Sequence, residues 1–88
     1  MRLVGRDRIS RMKEANPDDE EASKWLTAWA SEISYAQWSE ASELFEQFPT
    51  AQRLEGEVYR FEVNGILALD VLFSFSQKIA CVLSLSTK

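Results

Sequence analysis

The 88-residue chain contains no histidine and one cysteine, Cys81. Without histidine it has no Ser/His/Asp or Cys/His set for nucleophilic catalysis, and no cluster with the Cys and His spacing of a metal site. One cysteine excludes an internal disulfide and fits a reducing compartment. Glycine is scarce, with three residues, and none forms a Gly-rich phosphate loop. No apolar run reaches membrane-spanning length, and no apolar signal core follows Met1-Arg2-Leu3-Val4-Gly5-Arg6. These absences predict a cytoplasmic, soluble protein with no cofactor, no metal and no membrane association. The chain also lacks repeats, linkers and low-complexity segments, so residues 1–88 read as one small domain.

What is present argues for a folded core. Apolar residues make up 45% of the chain and include three tryptophans, a composition that does not stay disordered. Net charge is −4 and unevenly spread. Arg2, Arg6, Arg8, Arg11 and Lys13 face only Asp7 in the first thirteen residues, whereas residues 14–70 carry thirteen acids against Lys24, Arg53 and Arg60. The acidic middle repels phosphate at long range, which makes direct nucleic-acid binding unfavourable. Acids also keep a small domain soluble, and composition alone does not separate the two roles.

Ile66–Phe75 is the stretch around which the rest is organised. Leu67, Leu69, Val71, Phe73 and Phe75 point one way along a strand, while Ile66, Ala68, Asp70, Leu72 and Ser74 point the other. One greasy face and one mixed face predict a central antiparallel strand, covered by helices on one side only. Asp70 then lies in the middle of the open surface.

The other elements follow in order. Arg2–Val4 reads as a short edge strand broken by Gly5. Asp7 is a candidate cap for a helix over Arg8–Ala15 that buries Ile9 and Met12. Asn16 reads as the N-cap of a second helix, with Pro17 in its first position and Asp19 completing a capping box. The acids Asp18 to Glu21 suit its N-terminal dipole better than a Ca²⁺ loop, whose glycine and ligand spacing are missing. Ala22, Trp25, Leu26, Trp29 and Ile33 form its apolar stripe to about Ser34. Ser39 can cap a third helix over Glu40–Gln47, where Ala41, Leu44, Phe45 and Phe48 face inward and Glu40, Glu43 and Glu46 face water. Pro49 ends it, and Thr50–Gly56 reads as a polar loop. Tyr59, Phe61 and Val63 alternate with Arg60 and Glu62 in a strand. Asn64-Gly65 signals a two-residue hairpin. After the central strand, Ser76-Gln77-Lys78 turns into a last strand, Ile79–Leu85, with Ile79, Cys81, Leu83 and Leu85 on one side. Cys81 then reads as a small buried apolar residue, and the last strand as an exposed edge. The predicted class is α+β: two or three N-terminal helices packed on a small antiparallel β-meander.

The series Met1-Arg2-Leu3-Val4-Gly5-Arg6, Asn16-Pro17-Asp18, Ala28-Trp29, Trp38, Phe48-Pro49-Thr50-Ala51, Tyr59-Arg60-Phe61-Glu62-Val63 and Gly65 resembles the HigB family of type II toxin–antitoxin toxins, within the RelE-like fold. It spans about three quarters of the chain. The resemblance implies helices on a small antiparallel sheet, ribosome-dependent cleavage of messenger RNA, and an antitoxin partner. The departures fall where the family's chemistry lies. The strand after the glycine turn is Leu67-Ala68-Leu69-Asp70-Val71 instead of one bearing a Tyr-Arg pair. No arginine follows Arg60, and Thr87-Lys88 stands where a Thr-His segment is expected.

RNA cleavage needs a base, an acid and cations for the crowded phosphate. The candidates for that chemistry are Arg60, Lys78 and Lys88, with Tyr59 or Tyr35 supplying a hydroxyl. Asp70 would repel a scissile phosphate. Two functional readings follow. In one, a toxin-like scaffold without catalytic side chains is an acidic protein-binding module. It uses Glu40, Glu43, Glu46 and Asp70 to occupy a basic site on a nucleic-acid-handling partner, as acidic anti-CRISPR inhibitors do against host defence nucleases. In the alternative, the chain is an mRNA interferase whose N-terminal bases touch ribosomal RNA and whose partner is an antitoxin.

Overall fold

The computed structural model describes residues 1–88. Strand β1 (Arg2–Val4) leads into helices α1 (Arg6–Ala15), α2 (Glu20–Tyr35) and α3 (Ala41–Gln47). Strands β2 (Gln52–Arg53), β3 (Val58–Glu62), β4 (Leu67–Ser74) and β5 (Ile79–Thr87) complete the chain. They form one sheet in the order β1-β5-β4-β3-β2. β3, β4 and β5 make the expected antiparallel meander, with β2 antiparallel on its far side and β1 parallel to β5. The class is α+β, and β4 lies at the centre of the sheet. No helix is long and apolar enough to cross a membrane.

The alternation in β4 decides where the core sits. Leu67, Leu69, Val71 and Phe73 are buried beneath the helices with Tyr59, Phe61 and Val63. α2 lays Leu26, Trp29 and Ile33 on this face. Rings fasten the helices to the sheet: Trp29 meets Phe61 edge-on at 5.5 Å, and Phe48 meets Phe61 at 5.2 Å. Trp38, in the connector before α3, packs on Phe73 at 5.9 Å. Such edge-to-face pairs add to the burial of apolar area. The Met1 amino group donates to the carbonyls of Ile33, Ser34 and Ala36, satisfying the end of a helix with no basic residue in its last turn.

Several local expectations are corrected. Asp19, and not Asn16, caps α2: its carboxylate accepts from the Ala22 amide, and its other oxygen accepts from Asn64 Nδ2. Asn16 instead closes the end of α1 through Nδ2 to the Met12 carbonyl. α1 begins at Arg6 behind Gly5, while Asp7 pairs with Arg11 one turn on. Gly5 has φ +101°, and a Cβ there would stand 3.0 Å from Val82 Cβ, so glycine lets α1 turn tightly onto β5. At α3 the helix starts behind Glu40, and the cap runs the other way round: Glu43 accepts from the Ser39 amide. Gln52 and Arg53, within the expected polar loop, add a short strand beside Tyr59 and Arg60.

Beyond the end of β3, the Val63 amide still bonds the Leu67 carbonyl at 3.0 Å and closes the hairpin, so the turn proper has three residues, Asn64 to Ile66, and not the expected two. The Asn64 side chain holds the turn by accepting from the amides of Ile66 and Leu67. β5 departs most from expectation. Asp70 faces Ser84 but Val71 faces Val82, so Leu83 is an extra residue bulging from the strand. Ala80 and Val82 are the fully buried pair, and Leu85 returns to the core side after the bulge. Ile79 and Cys81 lie half-buried on the open face. β5 is no free edge at its start, since β1 pairs with Ile79–Cys81.

Candidate functional site

Cross-strand registers lay the open face out in rows. Gln52, Arg60, Asp70 and Ser84 form one row across four strands, with Glu62, Ala68 and Ser86 beside it. Beyond the bulge the character changes: Val4, Cys81, Leu72 and Val58 make an apolar row. The polar half is where the sequence places the chemistry.

There Arg60 and Asp70 face each other and form a two-point pair, Nε to Oδ1 at 2.9 Å and Nη2 to Oδ2 at 3.1 Å. Planar guanidinium and carboxylate fit in this fork geometry. Asp70 retains 15% of its side-chain exposure, against 39% for Arg60. Asp70 raises the Arg60 pKa above its ordinary value, by its hydrogen bonds first and its charge second. Arg60 therefore stays protonated and carries no proton to or from a substrate.

Lys88 reaches back along the same face to Glu62 and the Asn64 carbonyl. Arg60, Glu62 and Lys88 line a basin of about 70 Å³ with Thr50, Gln52 and Ala68. The fold thus brings together two of the three cations proposed for catalysis, each beside a carboxylate. Lys78 is not with them. It sits in the β4–β5 turn with φ +58°, and its ammonium donates to the Trp38 carbonyl at 2.7 Å and to Ser39 Oγ at 3.0 Å. Its own carbonyl accepts from the Arg2 amide at 2.7 Å. Lys78 is a fastener between the hairpin, β1 and the α2–α3 connector. Tyr59 is buried in the core and Tyr35 is 83% exposed at the end of α2, so neither lends a hydroxyl to the basin.

The four residues expected to contact a partner are also divided. Glu40, Glu43 and Glu46 belong to α3 and its cap on the helical side, while Asp70 faces out from the opposite side of the sheet. Glu43 and Glu46 line a groove of about 540 Å³ with Gln37, Trp38 and Gln47. Glu40 is exposed and accepts from the Ser42 hydroxyl. Asp70 is therefore removed from the acidic surface by geometry and is occupied by Arg60.

Sequence reasoning did not find Thr50 and Gln52 on the basin. The signal was slight: Gln52 pairs with Arg60 through a strand two residues long. It also placed Arg60 and Asp70 on the open face without joining them. An even-length β3–β4 loop would put Arg60 opposite a core-facing residue of β4, so the alternation of both strands already required an odd-length loop. No group of three His, Cys, Asp or Glu residues stands close enough to hold a metal. Compared with protein-family models and with curated proteins, the chain finds no match in either.

Proposed function

We propose that the chain is a non-catalytic, acidic protein-binding module on a HigB-like scaffold. Its α3 edge, with Glu40, Glu43 and Glu46, occupies a basic site of a cytoplasmic nucleic-acid-handling partner, as an anti-defence or anti-CRISPR-like inhibitor would. The observation that carries this reading is the Arg60–Asp70 fork: the arginine nearest the centre of the open face is already neutralised by a carboxylate. A phosphate approaching Arg60 would have to displace Asp70 and sit beside Glu62. The α3 groove is the converse case, with two carboxylates and no cation among its lining residues. Opposite charge on a partner would speed the encounter and fix its orientation.

The test has two arms. Expression of the chain alone in bacteria is expected to leave growth and messenger RNA intact. A partner bound at low salt should be released at moderate salt, should lose binding to the Glu40→Lys/Glu46→Lys variant, and should no longer hold its nucleic acid while the chain is bound. Growth arrest with cuts in translated messenger, abolished by Arg60→Ala, would overturn the proposal. It would favour the second reading, a type II toxin acting as a ribosome-dependent mRNA interferase. That reading draws its support from the shared basin of Arg60 and Lys88.

A further inference from the structure

The ten cations of the chain are held in unlike ways. Arg11, Arg60 and Lys88 each have a carboxylate partner. Arg8, Arg53 and Lys78 donate to backbone carbonyls. Four cations do neither: the Arg2 and Lys24 side chains bind no protein group, whereas Arg6 and Lys13 bind hydroxyls. Arg6 Nη2 donates to Ser34 Oγ at 2.6 Å, and Lys13 Nζ donates to Thr27 Oγ1. Both hydroxyls in turn donate within α2, Ser34 to the Ala30 carbonyl and Thr27 to the Ser23 carbonyl. Neutral hydroxyls thus hold two charged heads over the seam between α1 and α2 without cancelling their charge.

That seam is a groove of about 340 Å³ lined by Arg6, Ser10, Lys13, Thr27 and Ser31, with Ile9 and Ala30 as its apolar floor. It contains no acid, in a chain whose acids outnumber its bases by four. A carboxylate makes stronger, charge-assisted bonds to these cations than a hydroxyl does. Arg6 and Lys13 are seven residues apart on one helix, hence about 10.5 Å along its axis and on nearly the same face. Their heads are kept apart by Ser34 and Thr27, themselves seven residues and about 10.5 Å apart along α2, so the groove presents two separate cationic points. The same spacing recurs on any helix whose acids are seven residues apart.

We infer that the α1–α2 groove is a second binding surface, of opposite sign to the α3 edge, and that it takes an amphipathic helical segment of a partner protein with carboxylates at positions i and i+7. An acidic helix fits better than a nucleic-acid strand for two reasons. The acidic middle of the chain opposes a densely charged polyphosphate. The groove also has no aromatic platform for bases, because Trp25 and Trp29 line a different cleft with Glu32 and Phe48. This surface stands whether or not the α3 edge binds its proposed partner.

The probe is an alanine-based 18-residue helical peptide with two glutamates seven positions apart, titrated into the full chain and followed by backbone amide shifts. The control peptide has its glutamates five apart, about 140° around the helix. Shifts at Ser10, Thr27 and Ser31 are expected with the first peptide and not with the second. Arg6→Gln and Lys13→Gln keep a donor for Ser34 and Thr27 and should each weaken binding by about two- to fivefold, as loss of an exposed ion pair does. Equal binding of both peptides, or binding indifferent to the double variant, would overturn the proposal. So would tighter binding of a 15-residue thymidylate oligonucleotide through Arg6 and Lys13, which would replace the occupant by a nucleic-acid strand.

Discussion

The two faces of the sheet are made from the same strands and have opposite chemistry. On the helical face, Phe73 meets the rings of Trp38, Tyr59, Phe61 and Phe75, and its side chain has no contact with water. On the open face, one residue away, Leu72 is 36% exposed in a row with Cys81 and Val58. The helical face is held by volume and shape. The polar half of the open face carries paired charges, Arg60–Asp70 and Lys88–Glu62, and the Arg60–Asp70 fork uses the groups that would otherwise be free to act on a ligand. A residue's functional promise here depends on which face it takes and on whether a neighbour across the strand already occupies it.

The sharpest way to press this contrast is to truncate adjacent residues of β4. Phe73→Ala is expected to lower stability in urea by about 3–5 kcal/mol, the cost of a large cavity in a close-packed core. Leu72→Ala should lose less than about 1 kcal/mol, and equal losses would mean that the open face is covered. Next in size is Gly5→Ala. A positive φ and a 3.0 Å approach to Val82 predict a loss of about 1–3 kcal/mol in the same denaturation experiment, with α1 partly detached from β5.

Smaller effects probe the open face itself. Arg60→Ala leaves Asp70 without its partner and should lower the melting temperature more than Arg53→Ala, whose guanidinium holds only the Gly56 carbonyl. The raised pKa of Arg60 sets the pH dependence. Its stabilising contribution is complete below the group's ordinary value and is lost only as pH rises through the raised one. From about pH 6 to pH 10 Arg60 stays charged, so the melting difference between the native chain and Arg60→Gln should be flat; a slope would show another titrating group on the fork. Asp70→Asn should produce no RNA cleavage in a translating extract, because Lys78 is engaged at Trp38 and Ser39. The smallest expected change is in Glu40→Gln with Glu46→Gln. Thermal melting should be unaltered within about 0.5 kcal/mol, while partner binding falls.

The parts of this fold that could be read from sequence are those where one pattern dominates. β4 alternates without competition, and the apolar stripe of α2 recurs at helical spacing. Misreadings fall where two local patterns compete and a distant contact decides. Asn16 and Asp19 are both good caps, and Asp19 is favoured by Asn64, which lies forty-five residues away. In the first half of β5, Ile79 to Val82, both alternating sets are apolar, and Ser84 and Ser86 point the inward face the wrong way until pairing with β4 reveals the bulge and sends Ala80 and Val82 inward. The candidate site was half legible. The faces of Arg60 and Asp70 were clear, but their bond depends on loop length, and Lys78's engagement depends on where the α2–α3 connector passes.

The extra residue in β5 has a consequence for how α1 is seated. Without Leu83, Val82, Ser84 and Leu85 would still alternate inward, outward and inward, so the ladder has no need of it. Its use lies outside the ladder: the carbonyls of Val82 and Leu83 receive the Arg8 guanidinium at 3.3 and 3.2 Å. A chain with Leu83 deleted is therefore expected to keep its sheet and its face pattern, yet lose the perch on which the first helix rests.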